Sequence, residues 1–74
     1  MNCRYIVIEN SLGKRKSYGV AAVCDYEDVE TVLKSFVDVC SDREATENFV
    51  SRCNTHELSI LHFNDAVEDF LAEI

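Results

Sequence analysis

Residues Cys3-Arg4-Tyr5-Ile6-Val7-Ile8-Glu9-Asn10 and Ser17-Tyr18-Gly19-Val20-Ala21-Ala22-Val23-Cys24 decide the fold, together with the segment Ser11-Leu12-Gly13-Lys14-Arg15-Lys16 that joins them. Both arms are rich in Tyr, Ile and Val, which suit a pleated, half-buried surface, so the stretch reads as a β-hairpin. Gly13 supplies the positive φ that the first central position of a type II′ turn requires. With Gly13-Lys14 as the turn, Leu12 pairs with Arg15, and the same register carried outward sets Cys3 opposite Cys24. Tyr5, Val7, Val20 and Ala22 then share one face, and Ile6, Ile8, Ala21 and Val23 the other. Both faces are apolar, although an exposed antiparallel sheet normally alternates apolar and polar residues. Either helices cover one face and a second copy covers the other, or a longer loop shifts the register.

Working outward, Asp25-Tyr26-Glu27-Asp28-Val29-Glu30-Thr31 reads as a polar, acidic connection. Beyond it, Val29, Val32, Leu33, Phe36 and Val37 fit helical spacing, while Leu33, Ser35, Val37 and Val39 fit one side of a strand. The Val-Asp-Val ending, next to a helix start, favours a third strand. Ser41-Asp42-Arg43-Glu44 matches a Ser-x-x-Glu capping box and predicts that start. Ala45, Phe49, Val50 and Cys53 form its apolar stripe, and Asn54, tolerant of the left-handed conformation, is the expected stop. Ser59 is placed to cap a second helix with the stripe Ile60, Phe63, Val67, Phe70, Leu71 and Ile74, and Leu58 to plug the gap between the helices. The expectation is one α+β domain over residues 1–74. A three-stranded antiparallel meander (strands about 3–10, 17–24 and 32–39) precedes an antiparallel helical hairpin (about 42–53 and 60–73) packed on one face.

Seventy-four residues support one small core and leave little room for a walled active-site cavity. With 47% apolar residues, 28% charged and no proline, the composition is that of a folded chain rather than a disordered tail. No apolar run approaches the roughly 18 residues needed to span a bilayer. The first residues reach Glu9 too soon for a signal-peptide core, so a cytoplasmic setting is expected. There Cys3, Cys24, Cys40 and Cys53 should stay reduced, as buried and inert thiols.

The net charge of −7 is unevenly distributed. Residues 1–37 hold five Lys/Arg and five Asp/Glu, whereas residues 38–74 hold two against nine. On the last helix Asp65, Glu68, Asp69 and Glu73 crowd one face at helical spacing. Mutual repulsion and the helix dipole cost this arrangement roughly 1–2 kcal/mol. Such a face serves either solubility or docking of a basic partner protein. Lys14-Arg15-Lys16 is the only basic cluster, and so acidic a chain would repel nucleic acid. No catalytic residue is assigned. Cys53-Asn54-Thr55-His56 sets a thiol near an imidazole, but Cys53 continues a buried stripe at a helix C-terminus, where thiols are not activated. A zinc site from Cys40, Cys53, His56 and His62 has no supporting spacing.

Val39-Cys40-Ser41-Asp42 through Cys53-Asn54, then Glu57-Leu58-Ser59, and His62-Phe63-Asn64-Asp65-Ala66-Val67-Glu68-Asp69-Phe70-Leu71 resemble a family of small uncharacterised proteins from clostridial-type gut bacteria. Tyr18-Gly19-Val20 is similar to that family's second-strand motif. The resemblance spans about 50 residues and departs mainly in 25–36, where no Gly turn is evident. It implies a domain of unknown function, supports a strand over 33–39, and carries over no catalytic or binding residues. The expected function is a small cytoplasmic protein–protein interaction module without a cofactor. It would self-associate as a homodimer through exposed sheet and offer the acidic helix to a basic protein. The alternatives are metal binding through Cys and His residues, or a thiol enzyme using Cys53 and His56.

Overall fold

The first hairpin closes at Gly13-Lys14, between strands β1 (Asn2–Leu12) and β2 (Arg15–Tyr26). Gly13 adopts φ +64°, and the register runs unbroken from Leu12↔Arg15 to Asn2↔Asp25, with Cys3 opposite Cys24. The structure, a computed structural model, describes residues 2–73. It shows the expected α+β architecture: a three-stranded antiparallel sheet in the order β1-β2-β3, followed by two helices.

The second hairpin is tighter than expected. Strand β3 spans Val29–Cys40, and only Glu27-Asp28 separate it from β2, both with positive φ (50° and 65°). Two positive φ values between the closing pair Tyr26↔Val29 make a type I′ turn, here built without glycine. The acidic segment 25–31 is therefore strand and turn, not a loose connection. Arg4 braces this end of the sheet by donating to Asp25 (3.4 Å) and to Glu30 (2.5 Å).

The cysteine expectation is also corrected, because Cys3 and Cys24 form a disulfide. The closing turn makes odd-numbered residues of β1 the non-hydrogen-bonded positions, where opposed Cα atoms lie closest, and these two are 4.0 Å apart. Cys40 and Cys53 remain free thiols, with Cys53 buried and Cys40 half-buried.

One face of the sheet carries the core. Tyr5, Val20 and Ala22 pack with Phe49, Val50 and Cys53 of α1 (Arg43–Thr55) and with Phe63, Val67 and Phe70 of α2 (Ile60–Glu73), and half-buried Phe36 and Leu58 join them. Phe63 is the hub, its ring 4.8 Å from Tyr5 and edge-on to Phe36 at 5.5 Å. Of the expected α2 stripe, Ile60 and Leu71 are exposed, and Ile74 lies outside the described residues. Ile60 and Leu71 flank the buried line of Phe63, Val67 and Phe70 instead of lying on it.

Among the described residues no helix covers the opposite face, yet Ala21 and Val23 are buried on it. Register shifts in β3, between Tyr18 and Val20 and between Ala22 and Val23, bend that strand across its neighbour. At Gly19 a Cβ atom would meet the Phe36 and Val37 carbonyl oxygens and fall 2.7 Å from the Val37 carbonyl carbon. The Asn10 amide reaches over to donate to the Val37 carbonyl. Glycine is thus required at position 19 for close approach of a second backbone.

Both ends of α1 differ from expectation. Its N-cap is Asp42 rather than Ser41, with the Asp42 carboxylate accepting from the Ala45 N–H at 3.2 Å. The third helical residue is consequently Ala45, and no reciprocal Glu44 bond forms. At the other end the helix runs past Asn54 to Thr55, and Glu57 (φ 48°) takes the left-handed position. Glu57 N–H donates to the Asn54 carbonyl (3.2 Å) and Leu58 N–H to the Cys53 carbonyl (3.0 Å), a Schellman pair. Asn54 instead clamps the first strand, where its Oδ1 accepts from Tyr5 N–H (2.8 Å) and its Nδ2 donates to the Tyr5 carbonyl (2.9 Å). One side chain thereby occupies both outward backbone groups at that point of the β1 edge.

Candidate functional site

The Schellman turn and the Ser59 cap place α2 beside α1; Ser59 Oγ accepts from Leu61 N–H at 3.3 Å, as expected for an N-cap. The two helices are tied by Phe49 and Phe70, whose rings stack at 4.6 Å with planes 12° apart. Alongside this stack runs an open groove of about 350 Å³. Its apolar surface comes from Phe49, Cys53, Leu58, Ala66 and Phe70. Arg52 and His56, one turn apart, line it from the α1 side, and Asp69 and Glu73, likewise one turn apart, from α2.

The charges around the groove are not neutralised locally. Among the described residues the ion pairs are Arg4 with Asp25 and Glu30, Lys16 with Glu9 (3.4 Å), and Arg43 with Glu47 (2.7 Å). Arg52, Asp69 and Glu73 take part in none of them. The last turn of α2 contains no basic residue, so its carboxylates add to the negative end of the helix dipole.

The four acids expected to form one docking face are divided by the structure. Asp69 and Glu73 line the groove, while Asp65 and Glu68 do not. By helical period Asp65 and Glu68 share the outer side of α2 with Leu61, which is 84% exposed.

Cys53 and His56 both line the groove. Cys53 is 5% exposed, and burial pushes its thiol above the ordinary value more than nearby Arg52 lowers it. A protonated thiol is a poor nucleophile. His56 caps α1, its backbone N–H donating to the Arg52 carbonyl at 3.0 Å. Cys40 is held at the start of α1, where its sulfur accepts from Asp42 N–H at 3.3 Å. Among the described residues no three His, Cys, Asp or Glu side chains converge as metal ligands, so the Cys40, Cys53, His56 and His62 set is not brought together. Among the described residues no helix is long and apolar enough to cross a membrane.

Exposed apolar side chains also lie along β3, where Val29, Val32, Leu33 and Val37 are between 46% and 62% exposed. Val29 pairs with exposed Tyr26 on one face of the sheet, and Val32 pairs with Val23 on the other. Because β3 is an edge strand, these side chains adjoin backbone groups that no neighbouring strand pairs.

Sequence reasoning missed the groove as a unit. The Arg52/His56 and Asp69/Glu73 spacings were visible signals, but only the lateral packing of Phe49 on Phe70 sets them across from each other.

No curated protein and no solved structure matches the chain. A family model does match, over residues 1–73, and the chain accordingly belongs to a family of unknown function (DUF6514).

Proposed function

We propose that the protein is a non-catalytic interaction module that self-associates through β3 and offers the acidic side of α2 to a basic protein. The observation that carries this reading is the unequal treatment of the two sheet edges. On β1, Asn54 occupies the outward backbone groups of Tyr5. On β3, four large aliphatic residues stand exposed along twelve residues of edge strand. Exposed apolar strips beside an open edge favour strand-to-strand association, and a two-fold pairing of β3 with itself closes without leaving a further edge of that kind.

Size-exclusion chromatography with light scattering at micromolar concentration tests the self-association. The wild-type chain should run as a dimer, and Val32→Lys with Val37→Lys as a monomer. A monomeric wild type would end this part of the reading. Affinity capture from the native cell tests the basic partner, comparing wild type with a variant neutralised at Asp65, Glu68, Asp69 and Glu73. An unchanged set of captured proteins would leave the acids with solubility alone.

The setting we propose is the cytoplasm of a clostridial-type bacterium. Against it stands the closed Cys3–Cys24 pair, because cytosolic thiol buffers keep most such pairs reduced. Acid trapping of the cells followed by alkylation of the denatured protein decides: four labelled cysteines place the chain in a reducing compartment, and two place it in an oxidising one.

A further inference from the structure

The geometry points to the groove between α1 and α2 as a binding site for a short basic segment of another protein, one Lys or Arg set beside a large apolar side chain. This rests on the basic-partner reading above and deepens it by naming the site and the shape of the ligand. At about 350 Å³ the groove falls within the size range of small-ligand sites. Phe49, Leu58, Ala66 and Phe70 give it an apolar floor for an anchoring side chain.

The polarity of the rim selects the ligand's charge. Asp69 and Glu73 lie one turn apart in the final part of α2, where like charges repel each other and the helix dipole opposes both. A cation seated between them relieves both effects at once. No ion pair among the described residues supplies that cation. Across the groove Arg52 presents N–H donors, which suit the backbone carbonyls of an extended segment. A free carboxylate or phosphate is the poorer fit, since it would meet two carboxylates for one guanidinium. The free thiol of Cys53 is buried in the same wall.

The test is fluorescence polarisation with a labelled hexapeptide bearing two arginines around a leucine, titrated with the full-length protein. Wild type should bind, with affinity falling as salt rises. Asp69→Asn with Glu73→Gln should weaken binding about fivefold to tenfold. Ala66→Trp, which fills the floor without touching a charge, should weaken it about tenfold or more. Should that variant fail to fold by circular dichroism, Ala66→Met serves, with a smaller loss. Asp65→Asn with Glu68→Gln should leave affinity within about twofold, these being exposed charges off the groove. If Asp65→Asn with Glu68→Gln weakens binding as much as the groove pair, or the Ala66 variants have no effect, the groove inference fails and the acidic-surface reading survives. A peptide that does not bind wild type overturns both. If the peptide disperses dimers, and neutralising Lys14 and Arg15 does the same, the occupant is the hairpin tip of a second copy and the proposed partner is wrong.

Discussion

Replacing Asn54 by alanine isolates the clamp on β1. The substitution removes two hydrogen bonds, Oδ1 from Tyr5 N–H at 2.8 Å and Nδ2 to the Tyr5 carbonyl at 2.9 Å. Each contributes about 1 kcal/mol net, so their loss costs about 2 kcal/mol. Asn54 lies in α1, where alanine is the better helix former by roughly 0.5 kcal/mol. The net expectation is therefore a loss of about 1.5 kcal/mol, or a fall in Tm of about 6–12 °C for a domain of this size. Asn48→Ala is the internal control, because Asn48 is exposed on the same helix and should show the helix-propensity gain alone. Urea titration of both variants gives the clamp as their difference, about 2 kcal/mol, and hydrogen exchange should show the Tyr5 amide losing protection. If the two variants unfold at the same urea concentration, the side chain does not hold the strand and the account of the β1 edge is wrong.

Gly19→Ala should destabilise by about 1–3 kcal/mol, since its Cβ meets backbone rather than a side chain that could swing away; chemical denaturation measures it, and an unchanged midpoint would contradict the crossing of β3 at that point. Glu57→Gly should raise stability by about 1 kcal/mol by relieving a left-handed backbone on a residue with a side chain, and a melting curve that moves down would refute the Schellman assignment. Tyr5 and Cys53 both have pKa values raised above their ordinary 10.0 and 9.0, in each case chiefly by burial. The folded state thus holds those protons longer than the unfolded one, so their contribution is complete below pH 9 and is lost as pH rises through the folded values. Denaturation midpoints should accordingly fall above about pH 9, and a steeply falling profile retained in a Tyr5→Phe, Cys53→Ala protein would assign the loss elsewhere.

The first hairpin was readable residue by residue because Gly13 marks its turn and both arms are rich in Tyr, Ile and Val. The second was not, because Glu27 and Asp28 take the same positive φ without a glycine to announce it, and the I′ turn is held from outside by Arg4. At the start of α1 two good capping residues stand side by side, and the half-buried Cys40 bonded to Asp42 accompanies the cap at the second. Asn54 looked like a helix stop on local grounds; its real partners lie 49 positions away, beyond the reach of local pattern. The candidate site was legible in pieces. Asp69 and Glu73 stood out as excess charge, but their division from Asp65 and Glu68 depends on which flank of α2 meets α1, a property of packing rather than of periodicity.

The bond between Asn54 and Tyr5 has a bearing on how the protein is made. Strand β1 leaves the ribosome ahead of the residue that secures it, which is translated 49 positions later. At about 5–20 residues per second, this leaves that stretch of β1 unguarded for roughly 2–10 s. A nascent chain therefore carries an open strand edge throughout that interval, and truncation before Asn54 would make it permanent. Order of synthesis and order of closure run in opposite directions, so fragments ending in the third strand should be the forms that aggregate and that cellular quality control removes.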